Sequence, residues 1–359
     1  MKKILIRTGI IVLTAVAVII AVLIFIFKNE LRSLASIKKL DDHPLVRMTY
    51  YGDYGFDEFL KVGATNDDEL AGFVAKRLLR GFPVNLNLDL GFPEDGGCTV
   101  FMVKNEKGEI LYCRNYDFLY TPAMQLFTSP DNGYRSVSTI QLDVLGYTKS
   151  SYPTGININS FFALAAPYMP WDGMNEKGLA IGLLAVPEAH GPKNNAVTLS
   201  TTTIIRLVLD KASTVQEAVD LMRQYNVYFS AGINCHFLIA DRGGDSVLAE
   251  YWDGELKTVT TPDDFQVASN FIAYDGLNIG EGFTEFERYE TAKNAIEQNG
   301  GYLTEQQVID LLMKVGIYDG DTDKLQWTVI YNLTTGTGKI LANRNTDNIH
   351  NFEILSSAK

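Results

Sequence analysis

Alternation of apolar and polar positions predicts many strands after residue 97. Residues 98–103 form an apolar run, residues 105–108 resemble a turn that ends on glycine, and residues 110–114 return as a second strand. Further strands are expected at 179–186, 233–240, 246–251, 256–260, 266–269, 326–333 and 339–342. The pattern therefore predicts a strand-rich region that opens on a hairpin.

Helical periodicity marks a second set of segments. A helix is expected to begin at Asn66, whose side chain can cap it, and to end at residues 81–83. Others are predicted at 202–211, 215–225, 285–298 and 305–315, the second with a capping box at Thr214 and Glu217. Blocks of strands alternate with pairs of helices, which favours antiparallel sheets with helices outside. We predict an α+β protein, an αββα four-layer sandwich.

The most apolar stretch of the chain, residues 10–27, carries no charged side chain and approaches the length needed to cross a bilayer. Basic residues precede it, so we expect an uncleaved signal anchor in the cell membrane, with a single pass and the rest of the chain extracytoplasmic. A cleaved signal peptide is the alternative. The predicted regions are a cytoplasmic stub and transmembrane anchor at 1–28, a distinct region at 29–97 and a strand-rich domain at 98–359.

Composition excludes some classes of function. The 359 residues carry a formal charge of −12, which argues against nucleic acid as a partner. Three cysteines and four histidines show no metal-ligand spacing, so neither a metal nor another cofactor is expected. The predicted partners are a small-molecule substrate and the membrane, and a homo-oligomer is compatible with the sequence.

Cys98 is the candidate nucleophile because it follows two glycines and opens the predicted hairpin. Pairing the two strands would bring Arg114 and Asp117 beside its thiol. Taken alone, Cys98 would be a small buried hydrophobe and the Arg/Asp pair an ordinary ion pair. Cys113 and Cys235 are interpreted as packed strand residues or as a disulfide with each other.

Several spaced blocks resemble the choloylglycine hydrolase-like family of N-terminal nucleophile cysteine hydrolases, which includes bile salt hydrolases, penicillin V acylases and the acid ceramidase group. The resemblance covers the chain from Cys98 to the C-terminus. The matching blocks are Cys98-Thr99, Arg114-Asn115-Tyr116-Asp117, the run from Gly173 to Leu179, the run from Cys235 to Asp241, Ser269-Asn270, Glu287-Arg288-Tyr289 and Gln326-Trp327-Thr328. The length of chain before Cys98 is similar to the precursor-processed branch, in which a prosegment is cut and retained as a small subunit. The resemblance therefore implies a prosegment at 29–97 and a catalytic amidase domain at 98–359.

The resemblance implies hydrolysis of a C–N bond in a linear N-acyl amide. Cleavage between Gly97 and Cys98 would free an α-amino group that serves as the base for the thiol. Asp117 would orient the ammonium group, and Arg288, with Arg114, would favour the thiolate. The same resemblance makes Asn270 the oxyanion donor.

Three further residues bear on this hypothesis. Asn175 is either a substrate contact or the residue that fixes the turn at 175–178. Ala185 stands where bile salt hydrolases have an asparagine, so an inactive tethered binding or sensor protein is the alternative function, with a bile salt hydrolase proper as another. His236 could form a papain-like pair with Cys98, but its apolar strand favours a hydrogen-bonded core histidine.

Overall fold

The computed structural model describes residues 2–81, 96–280, 284–318, 320 and 323–354. Its helices are α1 (Lys2–Ile26), α2 (Lys28–Ala35), α3 (Phe56–Val62), α4 (Asp67–Leu78), α5 (Thr201–Lys211), α6 (Val215–Met222), α7 (Glu285–Gln298) and α8 (Glu305–Val315). The first strands are β1 (Lys38–Asp41), β2 (Leu45–Thr49), β3 (Gly97–Lys104), β4 (Ile110–Asp117), β5 (Ala123–Thr128), β6 (Ser136–Gln141), β7 (Pro170–Asn175), β8 (Leu179–Ala185) and β9 (Thr198–Ser200). They are followed by β10 (Asn226–Tyr228), β11 (Cys235–Asp241), β12 (Ser246–Trp252), β13 (Glu255–Val259), β14 (Gln266–Ala268), β15 (Leu325–Asn332), β16 (Thr337–Ala342) and β17 (His350–Glu353).

Two sheets form the centre of the described structure. The larger sheet has nine strands in the order β1-β2-β5-β6-β7-β8-β11-β12-β13, and the smaller has six in the order β14-β3-β4-β15-β16-β17. Neighbouring strands of these sheets are antiparallel except β2 and β5, which are parallel. A separate two-stranded parallel sheet joins β9 and β10.

Helices cover both outer faces of the paired sheets. Helix α5 packs against β7 and β8, and α6 against β11 and β12, whereas α7 and α8 pack against β3, β4 and β14. Two glycines show how closely the layers pack on each face of the larger sheet. A Cβ at Gly173 would lie 2.7 Å from Leu209 of α5, and a Cβ at Gly182 would lie 2.6 Å from Arg114 of the smaller sheet. The mixed α+β fold and this order of layers agree with the predicted αββα sandwich.

The region from Leu34 to Leu78 is built into this core. Strands β1 and β2 extend the larger sheet, although no strand was predicted there. Tyr54, Phe56 and Phe59 surround the ring of Tyr168, with centroid separations of 5.7–6.3 Å. The hydroxyl group of Tyr168 donates to the carbonyl of Tyr54 (2.6 Å), and the hydroxyl group of Tyr54 donates to Asp210 (2.5 Å). This region therefore shares hydrophobic packing and buried hydrogen bonds with the rest of the chain.

The first helix carries apolar side chains on its surface. From Ile10 to Ile26 they are largely exposed. Within the described residues, no single helix meets the length and hydropathy required of a membrane span; the bent pair formed by residues 10–26 and α2, with 72° between them, meets those criteria together.

Several boundaries differ from the expectations. The strand after the Gly108 turn runs on to Asp117, because its later residues pair with both β3 and β15. The helix predicted at 215–225 ends at Met222, and residues 226–228 form strand β10 instead. Thr214 caps that helix as expected, but the Glu217 carboxylate accepts from Ser213, so the capping box is incomplete.

Candidate active site

The thiol of Cys98 lies at the start of β3, where the hairpin register fixes its neighbours. Cys98 pairs with Tyr116, and Val100 pairs with Arg114. Side chains two residues apart lie on the same face of a strand, so Arg114 reaches back towards the thiol across the hairpin. Its Nη2 atom lies 3.5 Å from the Cys98 sulfur atom. The predicted juxtaposition of Cys98 and Arg114 is confirmed.

Arg114 is itself held by a carboxylate that was not singled out from the sequence. Its Nε atom lies 3.4 Å from an oxygen of Asp172, and both side chains are fully buried. Asp172 also accepts hydrogen bonds from Trp327 Nε1 (3.1 Å) and from the Tyr331 hydroxyl group (2.6 Å). A buried carboxylate with three such partners can compensate a buried guanidinium group. The sequence feature that could have identified Asp172 is its position as the one charged residue of strand β7.

Asn270 and Arg288 reach Cys98 from outside the hairpin. The backbone N–H of Cys98 donates to Asn270 Oδ1 (2.7 Å), and the Asn270 amide donates to the carbonyl of Ala185 (2.8 Å). Arg288, from α7, donates to the carbonyl of Cys98 (2.5 Å), to Thr99 Oγ1 (2.9 Å) and to Asn270 Oδ1 (2.8 Å). Residues far apart in sequence thus converge on the backbone of the candidate nucleophile.

Asp117 lies one residue from the nucleophile across the hairpin, opposite Gly97. One carboxylate oxygen accepts from the backbone N–H of Ile317 (2.8 Å), while the buried Oδ2 atom has no hydrogen-bond partner among the described residues. Burial raises the pKa of Asp117 to about 6, and nearby Arg288 offsets part of that rise. A buried acceptor with an open position is suited to bind an ammonium group.

In the continuous chain, that is, before any cleavage at Cys98, the two arginines do not by themselves lower the pKa of the Cys98 thiol below its ordinary value. Burial raises the pKa of this thiol, while the positive charges of Arg114 and Arg288 act in the opposite direction. The expected influence of the two arginines is therefore present, but desolvation outweighs it. The other two cysteines are also buried thiols, so the alternative of a disulfide between Cys113 and Cys235 is wrong.

A cavity of about 320 Å³ opens over Cys98. Its polar lining residues include Asp117, Asn270 and Arg288, and its apolar lining includes Trp171, Leu183, Val186, Ile233 and Ile317. A smaller apolar recess lies beyond and shares Trp171, Leu183 and Ile233 with the main cavity. Cys98 thus lies where an apolar surface meets a few converging polar groups, the usual composition of a small-molecule site.

The remaining candidates take different places. Asn175 is buried and fixes its turn: its amide donates to the carbonyls of Leu209 and Ala212, and its Oδ1 accepts from Lys177 and Leu179. It is not among the residues that line the cavity.

Ala185 does line the cavity and contributes its backbone carbonyl to Asn270. Both ring nitrogens of His236 are occupied, one by Glu250 and one by the carbonyl of Ser269, so neither faces the thiol. The described residues contain no group of three His, Cys, Asp or Glu side chains arranged to bind a metal.

The expected cleavage segment is only partly within the described residues. Residues 91–95 lie outside them, Gly96 is exposed and Gly97 is buried in β3. A Cβ at Gly97 would lie 2.6 Å from Ile317 Cδ1 and 2.9 Å from Arg288 Nη2, so a larger residue here would displace the ends of these two side chains. The peptide bond before Cys98 therefore lies inside the cluster of Asn270, Arg288 and Asp117.

Comparison with known families agrees with this geometry. The model of the linear amide C–N hydrolases, choloylglycine hydrolase family, matches residues 98–296, which is more than half of the chain and begins at Cys98 itself. The chain belongs to the choloylglycine hydrolase family. Penicillin V acylase of Pectobacterium atrosepticum is 31% identical over 116 residues, which cover 29% of this chain and 31% of that protein. The chain thus matches about a third of the length of this relative.

Solved structures of related proteins share the fold. A conjugated bile acid hydrolase from Clostridium perfringens superposes with a TM-score of 0.53 at 17% identity, covering 72% of this chain and 93% of its own. Penicillin V acylase from Agrobacterium tumefaciens gives a TM-score of 0.52 at 19% identity, covering 72% and 86%. At identities of 17% and 19%, these two structures show that the family member described here shares their fold, and nothing beyond the fold.

Proposed function

We propose that this protein hydrolyses a C–N bond in a linear N-acyl amide, using the thiol of Cys98 after cleavage of the Gly97–Cys98 peptide bond. The observation that carries the proposal is the convergence of Arg114, Asn270 and Arg288 on Cys98 at the floor of an apolar cavity. Membership of the choloylglycine hydrolase family supports the reaction class.

The freed α-amino group supplies the base that the continuous chain lacks. Such a group has a pKa of about 7.7–8.0, compared with about 10.4 for lysine, so about a tenth of it is unprotonated at pH 7, a far larger share than for lysine. It accepts the thiol proton, and the thiolate attacks the amide carbonyl. The resulting ammonium group returns the proton to the leaving nitrogen as the C–N bond breaks. Water then hydrolyses the thioester with the amine again as base, which releases the acid and restores the thiol.

Each neighbour has a role in this scheme. The open oxygen of Asp117 accepts from the ammonium group, and the positive charges of Arg114 and Arg288 lower the pKa of the Cys98 thiol against the effect of burial. The Asn270 amide has two N–H donors, of which Ala185 uses one. The second is the candidate donor to the oxyanion, and loss of such a donor typically reduces the rate by about 10²–10³-fold.

The cavity supports an apolar acyl group in the substrate. Trp171, Leu183 and Ile233 give the main cavity an apolar wall that suits an apolar acyl group, and the recess behind them adds only about 20 Å³. The related proteins are named for penicillin V and conjugated bile acids. Both compounds belong in the substrate panel, beside N-acyl amides of graded chain length.

Cleavage at Cys98 is tested by intact mass and N-terminal sequencing of the full chain. We expect two fragments, one of which begins at Cys98, and an intact chain in Cys98→Ala. Cys113→Ala is the matched control, because it removes another buried thiol from the same hairpin. A chain that remains uncut, and that stays inactive after proteolysis at Gly97, would contradict the mechanism and favour the tethered binding protein.

Turnover of the amide panel tests the reaction itself. The wild-type chain is expected to release acid and amine from at least one N-acyl amide, and acid quenching should trap a thioester on the fragment that begins at Cys98. A chain that binds amides without turnover or thioester would instead support the inactive binding function.

We also propose that the region before the cut remains bound as a small subunit and that α1 anchors it to the cell membrane, with the catalytic domain outside. Support for the first point comes from β1 and β2 in the larger sheet and from the aromatic packing around Tyr168. Support for the second comes from the exposed apolar side chains of α1.

A further inference from the structure

We infer that His236 and Glu250 are positioning residues that hold Asn270 against the backbone of Cys98. This inference rests on the proposed function, because it concerns the same reaction, but it assigns a role to two residues outside the cavity lining. His236 and Glu250 face each other on neighbouring strands β11 and β12, and their side chains are 1% and 0% exposed. A buried pair of this kind requires partners for all its polar atoms.

The hydrogen bonds of His236 restrict where its protons are. Nε2 lies 2.9 Å from the carbonyl oxygen of Ser269, which can only accept, so this nitrogen carries a proton. Nδ1 lies 2.8 Å from Glu250 Oε1, so one proton lies between these two atoms, on the ring or on the carboxyl group. The ring therefore binds Glu250 on one side and the Ser269 carbonyl on the other, which leaves it no free nitrogen to act as base for Cys98.

Glu250 holds the other end of the same loop. Its two oxygens accept from the backbone N–H groups of Ala273 (3.1 Å) and Tyr274 (2.8 Å). The His236–Glu250 pair thus binds the backbone at Ser269 and again at 273–274. Asn270 lies between the two attachment points.

The loop that is fixed in this way carries the groups that touch Cys98. Ser269 Oγ donates to the carbonyl of Cys98 (3.3 Å), and Asn270 Oδ1 accepts from its N–H (2.7 Å). An oxyanion donor acts through its exact place relative to the reacting carbon, and small displacements reduce the rate more than they reduce substrate binding. Removing the pair should therefore lower kcat with little change in KM.

Substitutions at His236 can separate its two hydrogen bonds. His236→Phe removes both, His236→Gln retains a donor near Nε2 for Ser269, and His236→Asn retains one near Nδ1 for Glu250. The matched control is Thr328→Val, which removes a buried hydrogen bond to Asn115 (2.7 Å) in the smaller sheet and touches neither the loop nor the cavity lining. Turnover is measured on the full chain and divided by the amount of free Cys98 N-terminus.

We expect His236→Phe to lower kcat by about 10–100-fold, with KM within about threefold of wild type. His236→Gln should retain more activity than His236→Asn, because it keeps the bond to the residue beside Asn270. Thr328→Val should leave kcat within about twofold. An unchanged kcat in His236→Phe, or an equal loss in Thr328→Val, would overturn the inference. Activity of the wild-type chain with a blocked Cys98 amine, lost in all three His236 variants, would make His236 the base instead.

A second measurement does not depend on turnover. In the Cys98→Ala background, amide hydrogen exchange should accelerate in His236→Phe at residues 97–99 and 269–274 and not in the strands of the larger sheet. Thr328→Val should leave those segments protected. If no amide is hydrolysed by any chain but this local exchange is observed, the proposed function fails and the positioning role stands. Exchange that rises throughout the sheet, or not at all, would refute the positioning role even in an active enzyme.

Discussion

At the scale of the residue, Asp117 makes the sharpest prediction about the continuous chain. Burial raises its pKa to about 6 from an ordinary value of 3.8, so the folded chain holds this proton more tightly than the unfolded chain. Stability is then lost as pH rises through this interval. In the Cys98→Ala background, Asp117→Asn should gain about 2 kcal/mol relative to its parent between pH 4 and pH 7, measured by urea unfolding.

The control for this measurement removes no titratable group. Thr328→Val also loses a buried hydrogen bond, but its difference from the parent should be the same at both pH values. If the stability difference between Asp117→Asn and its parent is the same at both pH values, the Asp117 carboxylate already has a compensating partner in the continuous chain. There would then be no reason to propose that it binds the ammonium group.

The hairpin register made part of the site predictable at this scale. Cys98, Arg114 and Asp117 belong to two strands joined by a short turn, so alternation and pairing alone bring them together. Asn270 and Arg288 came from the family resemblance, since no local pattern relates residues so far apart. Asp172 and the positioning role of His236 were missed because each acts through partners on other strands, and a sequence gives no sign of which buried polar groups meet.

At the scale of the element, long regular segments were predicted better than short ones. Helices α7 and α8 have the expected bounds. In α8 the apolar periodicity and the capping residue Thr304 indicate the same first residue. Strands β1 and β2 were missed: they are four and five residues long, and β1 begins with two lysines. Their pairing depends on β5, which lies more than 70 residues later, so only the tertiary structure identifies them.

These two strands predict that a cut chain stays together. A protease site inserted between residues 81 and 96 allows the cut to be made independently of Cys98. The two fragments should then co-elute on size exclusion and separate only in denaturant, because Tyr54, Phe56 and Phe59 each contribute about 1.5–3 kcal/mol by burial. A large fragment that elutes alone and remains folded would show that residues 29–81 are dispensable.

Tyr54→Phe refines this test. The substitution keeps the ring but removes the hydroxyl group that donates to Asp210, beside the buried Arg206. Hydrogen bonds to charged groups contribute about 1.5–3 kcal/mol, so separation should require less denaturant than for the unsubstituted pair. Equal denaturant for both would indicate that packing alone holds the fragments together.

At the scale of the whole molecule, the first helix differs from the rest in what it presents to its surroundings. Thirteen large apolar side chains between Ile10 and Ile26 are exposed, whereas the chain as a whole carries a formal charge of −12. Such side chains favour the bilayer by about 0.3–0.6 kcal/mol each, or about 4–8 kcal/mol together. The full chain should therefore float with phospholipid vesicles on a density gradient, and a chain without residues 2–28 should remain in the aqueous fraction.

Charge substitutions in the middle of α1 distinguish insertion from adhesion to the surface. Val18→Lys with Ile19→Lys should cost about 5–7 kcal/mol at the centre of a bilayer, enough to offset most of the gain and to reduce flotation strongly. The matched control, Val18→Leu with Ile19→Leu, keeps the apolar surface and should float like the wild-type chain. If the lysine variant floats equally well, α1 lies on the membrane surface, where lysine side chains can reach water. If the unsubstituted chain does not float and is monodisperse without detergent, α1 is covered by protein, and a second copy of the chain becomes the partner to test.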